Sequence, residues 1–229
     1  EYILRVEVAE DIPRERALFA GRGCGRTAVR VEGADKFSGY IDRPRREGGV
    51  ILHKPWALVA LSAFLRGVSA KIVFAESGLI LHAAGIARAD KAYIFFGPSE
   101  SGKTTVAGIS GEDSVLSDEL VAVRYREGSF RAYGLPDWDE EKEKGLGMGE
   151  DFEIKGLFKL VKDKEVYLKR LSSAQSVAEI INPPRAGEKD FSLEKFVDVC
   201  YDLVKAVPCY ELHFLPDDSF WRIIEKDVG

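Results

Sequence analysis

Sulfur and carboxamide side chains are scarce in this sequence. Its three cysteines, Cys24, Cys200 and Cys209, form no Cys-x-x-Cys pair and no metal-ligand spacing, which excludes a disulfide scaffold and leaves isolated thiols in a reducing compartment. Met148, Gln175 and Asn182 are each the only residue of their kind. That poverty in thermolabile side chains, beside abundant Lys, Arg and Glu, points to a thermophilic source and says nothing about function. No basic-then-apolar amino terminus is present, and the longest apolar runs, such as Ala57 to Leu65, are interrupted and too short to span a bilayer. The expected location is the cytoplasm. Positive charge is not in excess either: a net charge of −5 and a pI of 5.4 argue against general nucleic-acid or membrane-surface binding, while leaving room for a local basic patch.

The 229 residues suffice for one domain with an appendage or two small domains. Residues 1–50 alternate short β-prone stretches (Tyr2 to Val8, Ala28 to Val31) with Gly and Pro, which predicts a small antiparallel β unit; residues 51–229 form the main domain. The loop Asp42-Arg43-Pro44-Arg45-Arg46 is either a solvated turn or a contact for phosphate. Pro55 suits a first helical turn, and Leu58, Leu61, Leu65 and Val68 recur on one face of a core-facing helix. Leu79 to Ala87 and Lys91 to Phe96 read as an antiparallel hairpin across Arg88-Ala89-Asp90, with a helix starting near Lys103. Strands follow at Ser114 to Ser117, Leu120 to Arg126 and Phe130 to Tyr133. Pro136 to Asp151, acidic and Gly-rich, is a surface loop or a lid. Gly156 to Val161 and Glu165 to Lys169 read as a hairpin, Ser172 to Ile181 as a helix, and Leu193 to Val207 as a helix capped by Ser192. A strand over Cys209 to Leu215 and a short helix over Ser219 to Lys226 complete a mixed α/β chain.

Gly97-Pro98-Ser99-Glu100-Ser101-Gly102-Lys103-Thr104 satisfies G-x-x-x-x-G-K-[ST], with an apolar strand before it and a helix after it. In that pattern backbone N–H groups wrap the β-phosphate of a nucleotide, and glycines at 97 and 102 permit the backbone angles and close approach this needs. Lys103 supplies charge to the β- and γ-phosphates, Thr104 offers a hydroxyl to Mg²⁺, and the helix N-terminus adds its dipole, with Thr105 in the same turn. ATP and Mg²⁺ are the cofactors expected. Glu100 has a counterpart in the Glu-Ser-Gly-Lys run of heterotrimeric G-protein alpha subunits, but there is no D-x-x-G after the loop and no N-K-x-D, which disfavours a GTPase.

Asp118 and Glu119 end the short apolar strand after the loop, where a nucleotide-binding protein of this pattern keeps its metal-holding acid. One can hold Mg²⁺ and the other orient or deprotonate a hydroxyl; the alternative is a solvated acidic turn. His82, on the strand paired with the one entering the loop, is either a structural residue or a group near the γ-phosphate.

The order Leu81-His82-Ala83-Ala84-Gly85, polar turn, apolar strand, Gly97 to Thr105, then Leu116-Ser117-Asp118-Glu119 and a hairpin resembles the catalytic domain of HPr kinase/phosphorylase, whose core is shared with ATP-dependent phosphoenolpyruvate carboxykinase. The resemblance is good over Pro55 to Tyr133 and looser beyond. It implies a mixed-sheet P-loop domain, with Asp118 as catalytic carboxylate, Glu119 associated with the metal and His82 near the γ-phosphate. Glu153-Ile154-Lys155-Gly156 is similar to an E-I-R-G stretch of the family. Glu119 replaces the family's usual second Asp, and residues 1–50 are unlike the larger N-terminal domain of bifunctional HPr kinases, so HPr itself is a less suitable acceptor.

The activity these features imply is ATP- and Mg²⁺-dependent phosphoryl transfer to a hydroxyl, foremost a seryl hydroxyl of a protein or peptide. Catalysis would rest on Asp118, His82 and Lys103, nucleotide binding on Gly97 through Thr105, and metal binding on Thr104, Asp118 and Glu119. Arg124, Arg126, Arg131 and the Arg43 to Arg46 loop are candidates to complete the charge clamp. The alternatives are a nucleotide-binding regulatory or scaffold protein without turnover, and small-molecule phosphoryl chemistry in the manner of phosphoenolpyruvate carboxykinase. Homo-oligomerisation is expected from the resemblance alone.

Overall fold

The computed structural model describes residues 2–10, 28–33, 35–111, 115–135, 150–181 and 193–228. The 136–149 stretch expected to be a loop or lid, Cys24 and Ser192 lie outside the described residues. The chain is mixed α/β and divides into two compact units, one up to Ile72 and one from Val73 onward.

The first unit contains β1 (Ile3–Ala9), β2 (Ala28–Gly33), β3 (Phe37–Asp42) and β4 (Glu47–His53), in the order β1-β4-β3-β2. β2, β3 and β4 pair antiparallel, but β1 runs parallel to β4, from Ile3 opposite Glu47 to Ala9 opposite His53. The expected all-antiparallel unit is therefore a mixed sheet. β1 meets β4 across a long connection that contains two other strands, and such a connection permits the parallel direction. One 3-10 turn at Lys54–Trp56 leads into α1 (Ala57–Ala75). Gly39 makes room for this helix, since a Cβ there would lie 2.4 Å from the Phe64 ring.

Three expectations for this region are corrected. The boundary expected after residue 50 falls after Ile72, because Ala60, Phe64 and Val68 of α1 join Val31, Phe37, Val50 and Leu52 in one core. Leu58, expected on the buried face, is 84% exposed. The Phe64 ring against Gly39 sets the rotation of the helix, and counting leucines could not reveal it. By length and composition alone, Lys54–Ala75 is also long and apolar enough to cross a membrane, because Ser62, Arg66 and Lys71 interrupt the apolar run without ending the helix.

The second unit holds β5 (Gly78–Arg88), β6 (Lys91–Phe96), α2 (Lys103–Ser110), β7 (Val115–Ser117), β8 (Leu120–Arg126) and β9 (Ser129–Gly134). These are followed by β10 (Phe152–Lys162), β11 (Tyr167–Arg170), α3 (Ser173–Ile181), α4 (Leu193–Ala206), β12 (Cys209–Phe214) and α5 (Ser219–Val228). The sheet runs β11-β12-β10-β6-β5-β8-β9, with β7 beside β5. The hairpin expected from Gly156 to Lys169 does not form. β12 lies between its two halves, parallel to β10 and antiparallel to β11. Tyr210, Leu212 and Phe214 bury one face of β12 while Glu211 and His213 on the other are half-buried, and the apolar area covered at the central position outcompetes pairing with the sequence neighbour.

β10 also pairs with β9 through Phe152 opposite Ala132 and Glu153 opposite Arg131, which closes β10, β6, β5, β8 and β9 into a circuit. A register shift between Ile154 and Gly156 lets the long strand bend into both pairings. Side-chain alternation divides the core by sheet face. Ala92, Ile94 and Phe96 of β6 face a cluster that includes Leu203 and Val204 of α4. Tyr93 and Phe95 face the opposite cluster, with Val106 of α2 and Phe220 and Trp221 of α5. In the latter Phe95 stacks on Phe158 with ring centroids 5.2 Å apart.

α3 begins with a reciprocal cap. The Ser172 backbone N–H donates to Gln175 Oε1 at 3.0 Å, and the Gln175 N–H donates to Ser172 Oγ at 3.4 Å. Ser172→Ala should lower the stability of this unit by about 1 kcal/mol, measured by urea unfolding. A change under about 0.3 kcal/mol would show the cap to be dispensable.

Candidate functional site

β6 ends at Phe96 and the chain enters a six-residue loop before α2. Three of the loop's residues have positive φ: Gly97 (155°), Glu100 (64°) and Gly102 (111°). A Cβ on Gly102 would lie 2.6 Å from Cζ of Phe214, so glycine lets the loop rest on the end of β12. A Cβ on Gly97 would meet Ser101 Oγ at 2.7 Å. Glu100 holds a left-handed conformation without being glycine, which costs on the order of 1 kcal/mol. Within the bend the Ser101 N–H donates to the Pro98 carbonyl at 3.2 Å.

Lys103, the first residue of α2, is 8% exposed and points back over the loop. Its Nζ donates to the carbonyls of Gly97 and Pro98, each at 3.1 Å. No carboxylate among the described residues pairs with it, and burial pushes its ammonium pKa down. Among the described residues this desolvated cation meets only neutral dipoles. Ser101, also 8% exposed, has a buried Oγ with no hydrogen-bond partner among the described residues. A buried orphan hydroxyl and a buried cation without a counter-ion, in one loop at a helix N-terminus, are suited to an anion. Pro98, Ser99, Glu100, Thr104 and Thr105 are exposed around them.

Strand register brings the other candidates to this loop. Ala83 of β5 lies opposite Phe96, the last residue before Gly97, and His82 lies opposite Leu120 of β8. The Ala83 N–H donates to the Glu119 carbonyl at 3.0 Å. β5 therefore carries His82 between the entrance to the loop and the bend that holds Asp118 and Glu119. His82 is exposed and shares its sheet face with Ala84 and Ile86, the face on which α2 packs; both acids are half-buried.

The three candidate arginines of the second unit have carboxylate partners. Arg124 pairs with Glu76. Arg131 donates to the Asp151 carboxylate at 2.7 Å and to its carbonyl at 2.8 Å. Arg126 lies 3.2 Å from Glu127, and the Arg43–Arg46 turn belongs to the first unit, with Arg45 beside Asp42. Glu153 sits where β10 meets both β6 and β9; its bond to Lys91, 2.6 Å long, holds its carboxyl below the usual range.

Sequence reasoning missed Ser117 and Phe214 as parts of this site. Ser117 Oγ accepts the N–H of Glu119 at 3.2 Å and of Leu120 at 3.0 Å. A serine directly before an acidic bend is a legible signal for that contact. Phe214 gave none, since only the parallel pairing of β12 brings it to Gly102.

The chain is thus an α/β protein with a glycine-bounded anion-suited loop between a central strand and a helix. A model of the SynChlorMet cassette protein ScmC family matches residues 53–228, and the chain belongs to that family. No curated protein matches it.

Proposed function

We propose that this protein binds ATP with Mg²⁺ at residues Gly97 to Thr105 and transfers the γ-phosphoryl group to a hydroxyl, foremost a seryl hydroxyl of a protein or peptide. The observation that carries the reading is Lys103, a buried ammonium with two loop carbonyls and no carboxylate among the described residues. The resemblance to the HPr kinase core and its P-loop supports the same reading. Among the described residues no group of three or more His, Cys, Asp or Glu side chains could hold a metal. A Mg²⁺ site of one acid, Thr104, phosphate oxygens and water fits that sparse set. Bound there, the metal would neutralise phosphate charge.

In this mechanism the loop amides and Lys103 hold the phosphates, and Asp118 takes the proton of the acceptor hydroxyl. The hydroxyl oxygen forms its bond to the γ-phosphorus as the bond to the β–γ bridging oxygen breaks and ADP leaves. His82 orients the γ-phosphate or the hydroxyl, and Glu119 supports the metal. Such chemistry, with buried thiols at Cys200 and Cys209, fits the cytoplasm.

One observation favours a second reading. Arg124, Arg126 and Arg131 all have carboxylate neighbours, so none stands as an open phosphate clamp. A nucleotide-ordered scaffold without turnover needs no such clamp. Incubation with γ-labelled ATP, Mg²⁺ and a library of serine peptides separates the two. Label on serine supports the kinase; tight ATP binding with no transfer to any acceptor supports the scaffold.

A further inference from the structure

Ser117 closes β7 directly before the two acids, and both acceptor lone pairs of its hydroxyl are used on the bend that follows, by the N–H groups of Glu119 and Leu120. The flanks of the bend are fixed from other sides. On one, a Cβ at Gly134 would lie 1.8 Å from the Leu116 carbonyl, so β9 presses on β7 at a distance that only glycine permits. On the other, the Leu120 carbonyl accepts the Leu135 N–H at 3.2 Å. The Glu119 carbonyl is held by Ala83, next to His82. The two amides after Asp118, those of Glu119 and Leu120, are held by the Ser117 hydroxyl.

We infer that Ser117 is a positioning residue for the acid pair, its hydroxyl fixing the bend through the backbone so that Asp118 and Glu119 offer preset carboxylates to a metal–nucleotide complex. This rests on the nucleotide and metal reading above. A rigid bend removes the entropy cost of ordering the carboxylates when the metal arrives. Partners that hydrogen-bond a metal ligand typically change affinity by about 10–100-fold, and a hydroxyl acting through the ligands' backbone is expected at the lower end of that range.

The test uses the full chain as wild type, Ser117→Ala and Ser117→Thr. The non-hydrolysable analogue AMP-PNP is titrated in EDTA, and Mn²⁺ is then titrated into the AMP-PNP-saturated protein, with free Mn²⁺ read by electron paramagnetic resonance. Ser117→Ala should bind AMP-PNP in EDTA within about 2-fold of wild type yet hold Mn²⁺ roughly 10-fold more weakly. Ser117→Thr, which keeps the hydroxyl, should restore Mn²⁺ affinity to within about 3-fold of wild type. A purely structural role would weaken both titrations together. Wild-type Mn²⁺ affinity in Ser117→Ala, or equal loss in Ser117→Thr, overturns the role of Ser117 alone. If the wild-type complex binds Mn²⁺ no more tightly than free AMP-PNP does, the metal–nucleotide reading itself falls, and this inference with it.

Discussion

On the proposed function, ATP with Mg²⁺ should stabilise this protein thermally, and Lys103→Ala should erase most of that stabilisation. A ligand at 100 times its Kd stabilises the native state by about 2.7 kcal/mol, or roughly 5–10 °C for a unit of this size. The Lys103 ammonium is the one charge buried in the loop, and nucleotide phosphates would be its first anionic partners there among the described residues. If its loss weakens binding 100-fold, the same nucleotide concentration equals Kd, and stabilisation falls to about 0.4 kcal/mol. The unliganded variant should remain folded, because burial already penalises the charged form of Lys103. Differential scanning fluorimetry with ATP, ADP and GTP, each with Mg²⁺, on both proteins checks this. No shift for wild type with any nucleotide, or an equal shift in the variant, removes the basis of the proposed function.

Asp118→Asn should leave nucleotide affinity within about 3-fold of wild type and lower the rate of phosphoryl transfer by roughly 10²–10⁴-fold, the range ascribed to a general base. The substitution keeps size and shape, so the bend between β7 and β8, held by Ser117, Ala83 and Leu135, should not move. Single-turnover transfer of labelled phosphate, beside equilibrium binding, separates the two quantities. Glu119→Gln is the companion variant. A collapse of transfer in Glu119→Gln with normal rates in Asp118→Asn would exchange the roles assigned to the two acids. Normal rates in both would rule out an acid base in this bend.

The strands and helices of the second unit were largely legible because local signals agreed with the global pattern. β5 and β6 flank a short polar turn, and β8 coincides with the expected Leu120 to Arg126. α2 begins at Lys103, as the glycine-bounded motif required. Pairing was less legible. Nothing local distinguishes β11 beside β10 from β11 beside β12, and the choice went to the arrangement that buries Tyr210, Leu212 and Phe214 of β12. In the first unit, the parallel direction of β1 and the burial of Ala60, Phe64 and Val68 in place of Leu58 depended on contacts distant in sequence.

The sequence by itself determined the turn from Gly97 into α2 at Lys103, because glycines at 97 and 102 permit its positive-φ backbone angles locally. It also determined the mixed α/β class, through hydrophobic periods of two and near four. Tertiary structure alone decided that His82, Phe96 and Glu119 converge, because a sheet register is set by the burial of whole strands and no residue encodes its own partner. It alone also left Lys103 buried without a carboxylate among the described residues, since desolvation and pairing are properties of surroundings that the chain assembles only on folding.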